Sequence, residues 1–448
     1  MNSLLFFAAW AITIKSSIVS LIGETIDDFK ENCYNKISGV DVMIKRELYM
    51  SKIRDFIDKP LIKVITGIRR SGKSMLLMMV MNELLERGIS KENILNINFE
   101  SLQYIHLKDY LTLYNEIKLK ADKTNGKLYI LLDEIQDVDG WEKAVNSFRV
   151  DFDCDIYVTG SNAKLLASEL ATHIAGRYIE IRIYPLSFAE YIEFAKTNNE
   201  EQNLTREQHF TNYIRFGGLP GIHLMKWEEP IINQYLTDIY NSVLLKDVIS
   251  RSGIRDIALL ESIVAFIMDN IGNTFSAKTV SDFLKSQGRK LSHETVYNYL
   301  KALENAFIIH KVQRFDIKGK RLLETQEKYF LDDLGLRHAV MGYRDNDIAG
   351  VLENVVYLEL LRRGYTVNIG KQDAAEVDFI ATRQDEKIYI QVCYVLANDN
   401  VTQREFGPLK VISDNYEKLV LSMDWLMSFN IDGIKQRNII DFLLDVKK

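Results

Sequence analysis

Gly67-Ile68-Arg69-Arg70-Ser71-Gly72-Lys73-Ser74 spells a complete G-x-x-x-x-G-K-S phosphate cradle, set between the apolar run Leu61-Ile62-Lys63-Val64-Ile65 and the helical run Met75-Leu76-Leu77-Met78-Met79-Val80. A strand before and a helix after make it a Walker A loop rather than an ordinary glycine-rich turn. Glycines let the backbone turn so that successive N–H groups converge on a β-phosphate, Lys73 reaches the β/γ oxygens, and the Ser74 hydroxyl can ligate Mg²⁺. The following helix adds the positive end of its dipole. All eight residues are therefore expected around ATP.

Roughly sixty residues further on, Leu128-Tyr129-Ile130-Leu131-Leu132-Asp133-Glu134 supplies the second half of such a site. An unbroken apolar run of this length suits a strand buried on both faces of a parallel sheet, and carboxylates at its C-terminal end stand where such sheets bind ligands. Alone, an acidic pair there is more often a solvated strand end. Behind a Walker A loop it reads as Walker B, with Asp133 holding Mg²⁺ and Glu134 orienting and deprotonating the attacking water.

The chain has 448 residues, 47% hydrophobic and 26% charged, with five prolines and no low-complexity tract. That composition predicts about three compact domains with short connections. A net charge of −6 argues against wholesale coating of nucleic acid but leaves room for a local basic face. Cys33, Cys154 and Cys393 are odd in number and far apart, so neither a disulfide framework nor a zinc cluster is expected, and the expected compartment is the reducing cytoplasm. The apolar run from Leu4 to Ile14 is broken by Lys15, is shorter than the roughly 20 residues a spanning helix needs, and lacks a basic flank. Residues 1–42 are read as an upstream extension from a misplaced start, with a weak membrane anchor and a helix packed on the body as alternatives; a membrane partner is not expected.

Residues 43–197 alternate strand-like and helix-like segments, the pattern of an α/β parallel sheet. A further strand between the two motif strands, and a Glu beside the Walker B Asp, point to P-loop hydrolases rather than small-molecule kinases. The strand through Val158 ends in Gly160-Ser161-Asn162-Ala163, placing small polar groups beside the nucleotide edge or at the cap of a helix running from Ala163 to Leu170. Arg177 opens the next strand. Arg69 and Arg70 could add charge at the phosphates, although loop arginines more often point to solvent.

Residues 198–255 are charged and helical, interrupted by the turn Gly217-Gly218-Leu219-Pro220-Gly221, and are read as a helical lid, with one helix from Ile231 to Ile249. Residues 256–345 predict a winged helix: Ser276 and Ser292 cap two helices, and strand-like runs flank Lys318-Gly319-Lys320-Arg321. From Ser276 to Arg344, thirteen Lys and Arg against eight Asp and Glu leave a surplus of +5 in an acidic chain. His293, Glu294, Tyr297, Asn298 and Lys301 would then face DNA, with Lys320 and Arg321 near phosphates; protein contact is the alternative.

Residues 346–448 place Glu353 on a helix, Asp378 on a strand, and Gln391 with Cys393 on the next strand. This order resembles restriction-endonuclease-like nucleases, which use two acids for Mg²⁺ and a lysine two residues after the second acid. Gln391 replaces an anionic ligand and Cys393 stands in the lysine place, so an inactive, nuclease-derived scaffold is expected.

Taken together, the chain resembles prokaryotic AAA-like ATPases fused to a carboxyl-terminal domain of unknown function with a nuclease-like fold. The resemblance rests on the two motifs above and on Thr159-Gly160-Ser161-Asn162-Ala163, Gly176-Arg177-Tyr178, Gly217-Gly218-Leu219-Pro220, Asp332-Asp333-Leu334-Gly335-Leu336-Arg337, Leu352-Glu353-Asn354, Glu376-Val377-Asp378-Phe379 and Arg404-Glu405. It covers nearly everything after residue 42. It implies that Ser161 or Asn162 acts as sensor 1 and that Arg177 contacts a γ-phosphate, in cis or across a subunit interface. The implied function is Mg²⁺-dependent ATP hydrolysis coupled to DNA, a protein partner or self-association. A nucleotide-gated DNA-binding switch and an ATP-dependent nuclease are the alternatives.

Overall fold

The apolar runs that flank the two motifs form strands β1 (Ile62–Thr66) and β3 (Leu128–Asp133), both buried along their whole length. A computed structural model describes residues 44–163, 176–197, 201, 203–286, 288–289, 291–373, 375–425 and 429–445. The reading of residues 1–42 and the helix from Ala163 to Leu170 fall outside them. With β2 (Ile94–Asn98), β4 (Cys154–Gly160) and β5 (Tyr178–Arg182), β1 and β3 make a parallel sheet in the order β2-β3-β4-β1-β5. Parallel pairing sends every C-terminal strand end to one edge, so the cradle after β1 and the carboxylates ending β3 share that edge. The strand inserted between them in space is β4, while β2, which lies between them in sequence, pairs on the far side of β3. Leu113 and Ile117 of the helix Tyr110–Ala121 pack with Ala144, Val145 and Phe148 of the helix Trp141–Asp151 against this sheet. Burying a leucine such as Leu132 contributes about 1.5–3 kcal/mol.

Two capping boxes, Ser187 with Glu190 at the end of the stretch 43–197 and Thr205 with Gln208 in the predicted lid, start the helices Phe188–Ala195 and Arg206–Phe216. The long helix of the lid differs from expectation: Glu229–Ser242 is α-helical, but Val243–Ser250 continues as a π-helix, a form that recurs at functional sites.

The Ser276 and Ser292 hydroxyls accept hydrogen bonds from the Thr279 and Thr295 amides and start the helices Ala277–Ser286 and His293–Asn305. Val296, Leu300 and Leu303 of the second helix are buried, and His293, Glu294, Tyr297, Asn298 and Lys301 are exposed. Strand β6 (Thr274–Phe275) precedes these helices and β7 (Ile309–Asp316) and β8 (Arg321–Leu331) follow them, so Arg321 belongs to a strand and the turn shrinks to residues 317–320. The remaining strands are β9 (Thr366–Gln372), β10 (Ala375–Arg383), β11 (Glu386–Val392), β12 (Glu417–Ser422), β13 (Asn430–Ile431) and β14 (Ile434–Asn438). β7 pairs in parallel with β9. The stretches 256–345 and 346–448, expected as separate domains, thus share one nine-stranded sheet, β13-β14-β12-β11-β10-β9-β7-β8-β6.

Two motifs of the resemblance turn out to dock on each other. Asp333 accepts the Gly218 amide (2.7 Å) and the Leu336 amide (3.2 Å), and a Cβ on Gly335 would lie 2.1 Å from the Phe216 carbonyl oxygen. Burial, against these amide bonds, pushes the Asp333 carboxyl up to about 7. The two sheets meet through Arg182, 3.8 Å from Asp332, and through buried Arg362, which donates to the Pro185 and Leu186 carbonyls at 3.1 and 3.2 Å.

Candidate functional site

The cradle closes on its own backbone. Gly67 has φ +151°, and a Cβ there would lie 2.2 Å from the Ile183 carbonyl oxygen, so no other residue fits. The Ser71 hydroxyl donates to the Ile68 carbonyl (2.8 Å), and Lys73 Nζ donates to the carbonyls of Gly67 and Ile68, both at 3.1 Å. The Ile68 side chain is fully buried in the core, which leaves only its backbone to a ligand. Arg46, which the sequence did not single out, donates to the Ser71 carbonyl (2.8 Å) and pairs with Glu190 (2.8 Å), bracing the loop from beneath. A lone arginine before the first strand carries no pattern that would have revealed this.

Asp133 and Glu134 are buried and tied to β4. Thr159 Oγ1 donates to Asp133 and accepts the Glu134 amide at 2.9 Å; Asn98 donates to Asp133 at 3.0 Å, and the Ser74 side chain also bonds it. Burial raises the Asp133 carboxyl above its ordinary range, outweighing the Ser74 and Thr159 bonds. Glu134 differs. Burial pushes it up, but Lys73 and Arg69 more than offset this and hold it below the usual carboxylate range. Its Oε1 lies 3.5 Å from Lys73 Nζ, and its Oε2 accepts Ser161 Oγ (3.1 Å) and the Gln136 amide. Glu134 has φ +55°, a left-handed conformation costly for a non-glycine residue and concentrated at working sites.

Lys73, Ser74, Asp133, Glu134 and Ser161 therefore converge. Asn162 is buried next to them, but it is Ser161 whose hydroxyl reaches Glu134. Arg177 does not join. Its carbonyl accepts the Ile62 amide (2.9 Å) at the start of β1, and its guanidinium is exposed, 3.4 Å from Asn146. The strand rise puts it roughly 13 Å or more from the cradle edge. The cis reading of Arg177 is thereby corrected, because β5 runs parallel to β1 and begins at the opposite edge of the sheet.

Arg70 is exposed, as loop arginines commonly are, but Arg69 turns inward to Asp247 and lies 3.3 Å from Glu100. Asp247, on the π-helix, is 1% exposed and also bonds Arg251 (3.1 Å) and Ser161 (3.4 Å). Arg251 reaches Ser161 and Asp137, both at 3.3 Å. Neither Asp247 nor Arg251 had a recognisable motif; both depend on where the π-helix Val243–Ser250 lands.

A second acid cluster lies between β8, β10 and the helix Ile348–Arg362. Asp378 Oδ2 accepts the Val392 amide (2.8 Å), and Gln391 Oε1 accepts the Asp378 amide (3.2 Å), bringing together Glu353, Asp378 and Gln391 as expected. The unexpected member is Lys328 of β8. Its Nζ is 2.9 Å from Glu353, 2.8 Å from Glu376 and 3.8 Å from Asp378. Burial pulls the lysine down, yet Glu353, Asp378 and Glu376 outweigh it and hold the ammonium well above its ordinary range. Burial raises both Glu353 and Asp378. Cys393 is buried and its thiol is pushed by burial to about 12, so it remains a neutral packing residue. Among the described residues, no group of three or more His, Cys, Asp or Glu is arranged to hold a metal ion, and no helix is long and apolar enough to cross a membrane.

Comparison with known proteins places an AAA domain at residues 59–192 and a domain of unknown function at residues 207–347. An uncharacterized protein of Haemophilus influenzae is 42% identical over 90% of this chain and 99% of its own length, and one of Methanocaldococcus jannaschii is 31% identical over 85% of each. Among solved structures, a Walker-type ATPase of Pyrococcus abyssi matches with a TM-score of 0.48 and 16% identity over 67% of this chain and 96% of that one. DnaA from Aquifex aeolicus bound to AMPPCP matches with a TM-score of 0.33 and 14% identity over 60% and 90%. The five-stranded parallel sheet and the AAA match make residues 59–192 an α/β P-loop NTPase domain of AAA type. With that domain followed by one of unknown function, the chain belongs to the same family as these Haemophilus and Methanocaldococcus proteins.

Proposed function

We propose that the protein is an Mg²⁺-dependent ATPase whose hydrolytic site is coupled to the carboxyl-terminal half. The observation that carries this reading is the line Lys73–Glu134–Ser161, with contacts of 3.5 and 3.1 Å, at the C-terminal edge of the parallel sheet. The cradle fits the group: Gly67 to Ser74 would receive the phosphates, and Ser74 and Asp133 would hold Mg²⁺, which supplies charge neutralisation at the phosphate oxygens. Lys73 binds β/γ oxygens, Glu134 takes the proton from the attacking water, and Ser161, with Asn162 beside it, orients Glu134. Arg177 is left a role only across a subunit interface, which would require self-association.

Coupling has a covalently short route. Two residues after Ser161, the Ala163 amide donates to the Asn305 carbonyl (2.8 Å) at the end of the helix His293–Asn305. We read residues 256–345 as a winged helix contacting DNA through Tyr297, Asn298 and Lys301, and residues 346–448 as a nuclease-derived scaffold without cutting activity, all in the cytoplasm. ATP turnover measured with duplex DNA, RNA and no nucleic acid, with subunit mass in parallel, tests this. Turnover that persists unchanged in Glu134→Gln removes Glu134 from the chemistry. ATP-dependent DNA affinity with negligible turnover favours the nucleotide-gated switch, a reading supported by the ion pairs that already hold Glu134 and Arg69 in place.

A further inference from the structure

The cradle is faced by an anion from another element of the fold. Asp247 projects from the π-helix, buried, and its two oxygens are divided between arginines: Oδ2 takes Arg69 of the phosphate loop and Oδ1 takes Arg251, one turn on. Oδ1 also accepts Ser161 Oγ (3.4 Å), the same hydroxyl that reaches Glu134, which in turn faces Lys73. Asp247 is thus three contacts, two hydrogen bonds and one ion pair, from the lysine that would bind the terminal phosphate. Around it, Lys246 lies 3.5 Å from Glu100 and 4.0 Å from Asp137, and Arg251 lies 3.3 Å from Asp137. Four cations, Arg69, Lys73, Lys246 and Arg251, face five carboxylates, Glu100, Asp133, Glu134, Asp137 and Asp247. Two of these cations, Arg69 of the loop and Arg251, are already paired with one carboxylate, Asp247.

We propose that Asp247 is a built-in anion that clamps Arg69 and Arg251, and that engagement of a γ-phosphate, but not of ADP, frees them and releases the π-helix Val243–Ser250 from the cradle. The clamp rests on the reading of Gly67 to Ser74 as a nucleotide cradle and adds what that reading lacks: a way to sense the third phosphate from within one chain, where Arg177 cannot reach. A buried carboxylate repels an incoming polyphosphate and competes for the same guanidinium groups, so the clamp lowers affinity selectively for the nucleotide whose charge comes closest. Linkage then requires that the nucleotide lower the affinity of the helix for the cradle by the same factor.

The experiment measures binding of ATPγS and ADP to the full-length wild type and to Asp247→Asn, with hydrogen exchange of the wild-type amides 243–251 in each state. Asp247→Asn is expected to tighten ATPγS by about tenfold while ADP changes less than about twofold, a coupling of ordinary allosteric size. Exchange in the π-helix is expected to rise with ATPγS and to stay unchanged with ADP, a measurement that does not depend on the variant folding. Equal effects on both nucleotides, weaker ATPγS binding in Asp247→Asn, or an exchange pattern identical with the two nucleotides would overturn the clamp while leaving the cradle intact. Wild type that binds neither nucleotide would remove the cradle reading, and the clamp with it.

Discussion

Two acid clusters in this molecule, one on each sheet, have opposite fates. At the end of β3, Asp133 and Glu134 are held by hydroxyls from Thr159, Ser74 and Ser161, and the cation nearest them, Lys73, is anchored only by loop carbonyls and a 3.5 Å contact. Between β8 and β10, Glu353, Glu376 and Asp378 close directly on Lys328, which is 3% exposed at its side chain and bonds two of them at under 3 Å. The first cluster meets its cation at 3.5 Å, and the second holds a lysine of a neighbouring strand in direct contact. The difference lies in what faces the acids: hydroxyls and a lysine at 3.5 Å in the first cluster, and in the second an ammonium from a neighbouring strand in direct contact.

The largest effects should fall on the first cluster. Lys73→Ala is expected to abolish nucleotide binding, and Glu134→Gln to retain binding while lowering turnover by about 10²–10⁴, the usual worth of a general base, both read by titration and steady-state phosphate release. Next comes the second cluster. Lys328→Met leaves the buried Glu353 and Asp378 and the half-exposed Glu376 without their ammonium and should destabilise the fold by about 3–5 kcal/mol in denaturant unfolding, with ATP affinity little changed wherever the protein remains folded. Mg²⁺-dependent cutting of DNA by wild type, lost on Asp378→Ala, would break the comparison outright.

Smaller effects sharpen it through pH. Glu353 and Asp378 have folded-state pKa values raised by burial, so the stability they contribute is present at low pH and lost as pH rises through those values. Lys328→Met removes the compensating charge and should make that loss steeper. Asp333 obeys the same sign: its folded value of about 7 against 3.8 means stability declines between about pH 4 and pH 7. Asp333→Asn should flatten the stability–pH profile across that window while costing one amide bond, to Gly218 or Leu336. Smallest of all, Arg177→Ala should leave ATP affinity of the isolated subunit unchanged, since the side chain is exposed at the far edge of the sheet; a loss of affinity there would restore the cis reading.

What the sequence by itself determined is what depends on near neighbours along the chain. The glycine spacing of the cradle, the two-face burial of β1 and β3, and the serine caps at 276 and 292 are each written within a dozen residues, because backbone conformation and strand burial are set by local pattern. Only the tertiary structure decided which charges meet. Arg46 under Ser71, Asp247 against Arg69 across 178 residues, Lys328 among Glu353, Glu376 and Asp378, and the merging of two expected domains through β7 and β9 leave no periodic trace in sequence. A single charged side chain has no preferred partner until packing brings one within a few ångströms and removes the water between them, and in this molecule that step sets Lys73 against Glu134 and Lys328 against Glu353, Glu376 and Asp378.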